Sequence, residues 1–91
     1  DEADLFSSEL IADDLNLISV PKIEGKMRVK AKVRYRHAEQ PATVEQLDEK
    51  RIHVIFDEPQ RAITKGQAVV LYDGDVVVGG ATICDTVRQE C

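Results

Sequence analysis

The chain has 91 residues, enough for one compact domain but with little room for a deep active-site cleft. Its net charge of −5 at pH 7 excludes a protein that coats nucleic acid with a uniformly basic surface. The sequence has no secretory signal and no apolar run long enough to span a bilayer, so we expect a cytoplasmic protein without membrane contact.

The opening segment has an ambiguous pattern. Its apolar residues have nearly helical spacing, and Ser7 or Ser8 would cap a helix. The β-branched residues near the end of the segment also suit a strand. The pattern slightly favours a helix. The apolar residues in question are Leu10, Ile11, Leu15 and Ile18.

The next segment carries a cation at every second position. These cations are Arg28, Lys30, Lys32, Arg34 and Arg36, and we call them the basic stripe. Apolar residues and Tyr35 lie between them, so a strand here would have one positive face and one apolar face. Residues 26–36 hold six of the twelve Lys and Arg residues and none of the seventeen acids. The pattern indicates contact with the phosphates of a nucleic acid, although a solvated face that resists edge aggregation remains an alternative.

The rest of the chain is punctuated like β-structure. Runs 42–47 and 51–56 are joined by three polar residues, and Asp73-Gly74 between two apolar runs predicts a type I′ hairpin turn. Five or six short strands favour a small antiparallel barrel or sandwich. Gly79-Gly80 predicts a bulge or a close approach of another backbone. The runs 69–71 and 76–78 are apolar on both faces, which predicts a cover from the N-terminal segment or from another domain.

No catalytic or metal-binding constellation is evident. Asp57 and Glu58 are interpreted as a polar turn that ends a strand, with Asp57 accepting backbone N–H bonds and Arg61 placed to reach a phosphate. His37 and His53 have no partners at motif spacing. We interpret Cys84 as a small apolar strand residue and the cysteine at position 91 as an exposed tail thiol.

Four stretches, read in order, resemble the C-terminal domain of the tRNA-specific 2-thiouridylases. They are Lys32-Val33-Arg34-Tyr35-Arg36, Ile55-Phe56-Asp57-Glu58-Pro59-Gln60-Arg61-Ala62, Gly66-Gln67, and Leu71-Tyr72-Asp73-Gly74-Asp75-Val76 with Gly79-Gly80. The similarity runs from about residue 6 to residue 83. Lys65, where the family often has proline, and Ala81, where a third glycine is common, are small departures.

The resemblance implies an all-β fold, a small six-stranded antiparallel barrel similar to the second domain of translation elongation factors. It also implies that the opening segment is a strand. Residues 1–91 would form a single domain, with the barrel at 5–84 and a tail at 85–91, that is the C-terminal fragment of a larger enzyme. The parent enzyme would thiolate C2 of the anticodon wobble uridine, using ATP and a persulfide sulfur from a sulfur-relay donor.

The implied partners of this fragment are tRNA, near its anticodon stem-loop, and the N-terminal catalytic domain of the same enzyme. The catalytic motifs of the family lie upstream, so we expect no catalytic residue, cofactor site or metal site here. The cations expected to contact tRNA are Lys30, Lys32, Arg34, Arg36 and Arg61. Two alternatives remain, namely an interdomain scaffold and an independent oligonucleotide-binding barrel in which Tyr35 and Tyr72 stack on bases.

Overall fold

A computed structural model describes residues 6–33, 38–61 and 63–86, in which six antiparallel strands close into a barrel. The strands are β1 Phe6–Leu17, β2 Lys26–Lys32, β3 Gln40–Gln46, β4 Ile52–Arg61, β5 Ala68–Asp73 and β6 Val76–Asp85. Their order around the barrel is β1-β4-β3-β2-β5-β6, with β6 pairing back onto β1. The predicted all-β, six-stranded antiparallel barrel is confirmed.

The interior of the barrel is filled by aliphatic side chains that alternate along each strand. The largest fully buried side chains are Leu10, Ile52, Leu71, Ile83, Val44, Val54, Val69 and Val78. Every strand contributes to this core, since Val29 and Ala31 of β2 are also buried in it. A barrel this small holds a packed core instead of a ligand cavity, so its functional surfaces must lie outside.

The opening segment is strand β1, so the helix favoured by its pattern is wrong and the strand implied by the resemblance is right. A bulge explains the misleading spacing. Asp13 pairs with Thr82 and Asn16 pairs with Gly80, so three steps along β1 match two along β6. Asp14 has a φ of 52° within this bulge. The extra residue turns Leu15 inward after Ala12, which imitates helical periodicity.

Both predicted hairpins form, but one turn differs from the prediction. The β3–β4 turn is held by Asp48, whose Oδ1 accepts hydrogen bonds from the backbone N–H groups of Lys50 and Arg51 at 2.9 and 3.0 Å. In the β5–β6 hairpin, Asp73 pairs with Val76, so the two loop residues are Gly74 and Asp75. Only Gly74 has a positive φ, 62°, which fits a type II′ turn and not the predicted type I′ turn.

The close approach predicted at Gly79 is confirmed. A Cβ atom at this position would lie 2.6 Å from the backbone oxygen of Asn16 in β1. The β5–β6 pairing also slips beside it, because Leu71 pairs with Gly79 and Tyr72 pairs with Val77. The N-terminal segment does not cover the outer face of this hairpin, since β1 pairs edge to edge with β6. Val76 remains 52% exposed.

Candidate nucleic-acid interface

Strand β2 separates its charges from its apolar residues as predicted. Lys26, Arg28 and Lys30 are exposed, whereas Val29 and Ala31 are buried. Lys32, the last residue of the strand, is half-buried. The strand is shorter than the basic stripe, because Val33 is no longer part of it. Arg34 and Arg36, together with Tyr35 and His37, lie outside the described residues.

Arg28 is engaged in a hydrogen-bonded ion pair with Asp57 of β4. Its two terminal nitrogens, Nη1 and Nη2, each donate to a different carboxylate oxygen of Asp57 at 2.7 Å. Nη1 also donates to Oγ1 of Thr43 at 2.9 Å, so the guanidinium joins β2, β3 and β4 on the outer surface. These hydrogen bonds lower the pKa of the Asp57 carboxyl and raise the pKa of Arg28. Arg28 therefore contributes little net positive charge to the interface.

The interpretation of Asp57 as part of a polar turn is wrong. β4 continues through Asp57 and Pro59 to Arg61. Its pairing with β1 jumps from Ile55 opposite Glu9 to Gln60 opposite Ser7, so the residues between have no register partner in β1. That gap accommodates Pro59, which cannot donate a backbone hydrogen bond. Asp57 points outward, next after the buried Phe56, and its partner among the described residues is the Arg28 side chain and not a backbone N–H group.

Lys30 has no acidic residue directly across either neighbouring strand. It lies opposite Pro41 of β3 and opposite Tyr72 of β5. Within the described ranges, its ammonium group makes neither a hydrogen bond nor an ion pair. Lys32 lies opposite Val70 of β5 and has an electrostatic or hydrogen-bonding partner. Lys30 is thus flanked by neutral side chains on both neighbouring strands.

The N-terminal half of β2 is different, because acidic residues lie beside its cations. Lys26 lies directly opposite Glu45 of β3, and Arg28 is paired with Asp57. Opposite charges on facing positions of two strands attract one another and reduce the field that reaches a ligand. Lys30, unlike Lys26 and Arg28, has no acid opposite it or paired with it among the described residues.

Arg61, the fifth predicted cation, lies on a different part of the barrel. It is exposed at the end of β4, opposite Phe6 of β1, and it has an interaction partner of its own. β3 separates its strand from β2. The structure thus brings Lys30 and Lys32 together and leaves Arg61 two strands away.

Two neighbours of Lys30 carried little signal in the sequence. Pro41 belongs to no motif of the sequence, and Tyr72 is a candidate contact residue only in the oligonucleotide-binding alternative. Tyr72 is half-buried, and its hydroxyl makes no hydrogen bond to another described residue. The register of β2 against β3 and β5 places both beside Lys30, and nothing local in the sequence determines that register.

His53 and Cys84 each have a structural partner. Nε2 of His53 lies 2.9 Å from Oε1 of Glu9 in the neighbouring strand β1. Cys84 is disulfide-bonded, which corrects its interpretation as a simple apolar residue, and its sulfur contacts the carbonyl oxygen of Ile11 at 3.3 Å. No group of three or more His, Cys, Asp or Glu side chains in the described part of the chain is arranged to hold a metal ion. Nor does that part contain a helix with the length and apolar character needed to cross a membrane.

The fold and its charged outer strand define a small closed β-barrel domain. The chain belongs to the aminomethyltransferase beta-barrel domain family, whose sequence profile matches residues 7–83. It is 55% identical over 83 residues to the tRNA-specific 2-thiouridylase MnmA of Clostridioides difficile (strain 630), and 54% identical over 83 residues to that of Acetivibrio thermocellus. Each alignment covers 91% of this chain and 23% of the relative. The resemblance to the 2-thiouridylases is confirmed, and the chain spans about a quarter of the length of these relatives.

Proposed function

We propose that the chain is the tRNA-contacting C-terminal barrel of a tRNA 2-thiouridylase. The observation that carries the proposal is the end of β2, where the exposed Lys30 lies between the neutral residues Pro41 and Tyr72 and Lys32 follows two residues later. The relatives named above are tRNA-specific enzymes, so a polyanionic ligand is the natural partner for these cations. A contact of this kind positions the RNA without reading its sequence.

The electrostatics of the chain suit local contact better than general RNA binding. The chain carries a net charge of −5, so most of its surface repels phosphate. Attraction is limited to the basic stripe, which orients the barrel on the RNA. A few phosphate contacts give weak binding at physiological salt, so we expect the barrel to supply part of the affinity of a larger enzyme, with the anticodon stem-loop region as its target.

The rest of the proposed activity belongs to the longer enzyme. Thiolation of C2 of the wobble uridine, use of ATP and delivery of a persulfide sulfur by a relay donor are assigned to a catalytic domain. No residue of this chain is given a catalytic role in the proposal. The cytoplasm, where tRNA is modified, is the proposed location.

A second candidate function is that of an interdomain scaffold, and two exposed apolar residues favour it. Ile18 is 66% exposed and Val76 is 52% exposed. Both lie at the same end of the barrel, since the backbone N–H of Ile18 donates to the carbonyl oxygen of Val78 at 2.8 Å. Apolar side chains exposed together often pack against another domain. Val76 pairs with Asp73, next in β5 to the Tyr72 that lies opposite Lys30, so a domain packed here would border the RNA contact.

The test of the proposal is a salt titration of binding to folded tRNA, with a single-stranded oligonucleotide of equal length as the comparison. The proposal predicts salt-sensitive binding that favours folded tRNA. Tighter binding to the single strand would support an independent oligonucleotide-binding barrel instead. An absence of binding to both RNAs, even at low salt, would contradict direct contact and leave the scaffold as the remaining function.

A further inference from the structure

A shallow groove on the outer surface is built around Lys30. Lys30 and Arg28 of β2 line it, Pro41 and Tyr72 flank Lys30 from the two neighbouring strands, and Asp73 and Gly74 form its rim at the β5–β6 turn. We call this surface the Lys30 groove. It combines a cation, an aromatic side chain and a proline ring within one cross-strand row, which differs from a plain positive surface.

Resting on the proposed tRNA contact, we infer that the Lys30 groove binds one unpaired nucleotide, with the base stacked on Tyr72 and its phosphate at the Lys30 ammonium group. Aromatic side chains beside a cation are the usual platform for single-stranded RNA, because every base has a face that can stack. A base held within a duplex has no free face to offer. The groove therefore distinguishes unpaired from paired RNA.

The side chains around the groove are available for this contact. The Lys30 ammonium group and the Tyr72 hydroxyl have no partner among the described residues, so neither must break an existing bond. Arg28 also lines the groove, but its guanidinium is already paired with Asp57 at 2.7 Å. Lys30 is consequently the phosphate-binding group.

The rim of the groove determines how the nucleotide lies. Gly74 is open to solvent, since a Cβ atom built there would meet nothing within 4 Å, which leaves space for a base to enter at the turn. Asp73 is exposed on the same rim and repels phosphate. The phosphate must lie toward Lys30 and Lys32, on the β2 side, and the base must lie toward Tyr72 and the turn.

The test compares an RNA stem-loop with a blunt RNA duplex that has the same number of phosphates. In the chain with Tyr72→Ala, we expect stem-loop binding to weaken by at least about fivefold, the lower end for loss of a base–aromatic stack, while duplex binding stays unchanged. Tyr72→Phe should retain stem-loop affinity. Tyr72→Leu keeps an apolar side chain in β5 and therefore controls for a folding defect. It should weaken stem-loop binding as Tyr72→Ala does. Lys30→Ala should weaken binding to both RNAs.

The outcomes separate this inference from the proposed function. Salt-sensitive RNA binding that Tyr72→Ala and Tyr72→Leu leave unchanged would overturn the stacked nucleotide while the phosphate contact survives. Equal losses for stem-loop and duplex would also overturn it, since stacking must favour the unpaired RNA. A wild-type chain that binds neither RNA would contradict the proposed function itself.

Discussion

The guanidinium of Arg28 and the carboxylate of Asp57 form two parallel hydrogen bonds of 2.7 Å across the outer surface of the barrel. This pair neutralises Arg28, the first cation of the basic stripe, and leaves Lys30 as the next exposed cation along β2. Alternation along β2 shows which side chains face outward, but it does not show which of them are already paired. The pair therefore makes Lys30, and not Arg28, the centre of the proposed RNA contact.

Removal of Asp57 should strengthen RNA binding. Asp57→Ala deletes a negative charge and releases Arg28 toward phosphate, so we expect tighter binding and a salt dependence steeper by about one unit of slope. Fluorescence titrations of labelled tRNA at several salt concentrations measure both effects. Glu49→Ala, which removes an exposed acid from the β3–β4 turn, is the matched control and should change the slope little. Weaker RNA binding by Asp57→Ala than by the control would contradict the conclusion that Asp57 neutralises Arg28 and keeps it from phosphate.

The Arg28–Asp57 pair also predicts a pH dependence. Because Arg28 lowers the pKa of the Asp57 carboxyl in the folded chain, the pair stabilises the fold above the unfolded-state pKa of about 3.9. This stabilisation is lost as the pH falls through the lower, folded-state pKa. Carboxyl chemical shifts followed by NMR should show the Asp57 pKa rising toward its ordinary value in Arg28→Gln. In Lys50→Ala the pKa of Asp57 should stay lowered. An equal rise of this pKa in both variants would show that Arg28 does not cause the lowering.

Gly79 and Gly80 should respond differently to the same substitution. A Cβ at Gly79 would lie 2.6 Å from the backbone oxygen of Asn16, so Gly79→Ala forces β1 and β6 apart at a cost of roughly 1–3 kcal/mol. At Gly80 the nearest atom, the backbone oxygen of Val69, would lie at an ordinary 3.5 Å. Gly80→Ala should therefore have little effect. Chemical denaturation of the two variants measures the difference, and equal stabilities would argue against the tight β1–β6 contact.

The sequence predicted the parts of the fold that depend on local pattern. Strict alternation in β2 correctly predicted an apolar inner face with Val29 and Ala31 and a charged outer face. The β3–β4 hairpin followed from two short runs joined by polar residues, with Asp48 capping the turn. In both cases the side chains that decide the structure are neighbours in sequence, so a short window contains the necessary information.

The errors arise where one residue shifts the pattern or where distant strands meet. The bulge at Asp14 gave β1 the apolar spacing of a helix, and only its pairing with β6 reveals a strand. The adjacent acids Asp57 and Glu58 suggested a polar turn, whereas β4 continues through them and a gap in the β1–β4 pairing accommodates Pro59. The Arg28–Asp57 pair joins residues 29 positions apart, and it depends on a three-strand register that the sequence does not specify.

The most direct test of the account is the salt slope of tRNA binding for the wild-type chain and for the double variant Lys30→Ala/Lys32→Ala. If these cations contact phosphates, the slope should fall by about two units and affinity at low salt should drop, while denaturation shows that the barrel remains folded. Lys50→Ala, which removes one exposed cation at the β3–β4 turn, should leave the slope unchanged. A folded double variant with the wild-type slope would contradict the proposal that this strand contacts tRNA.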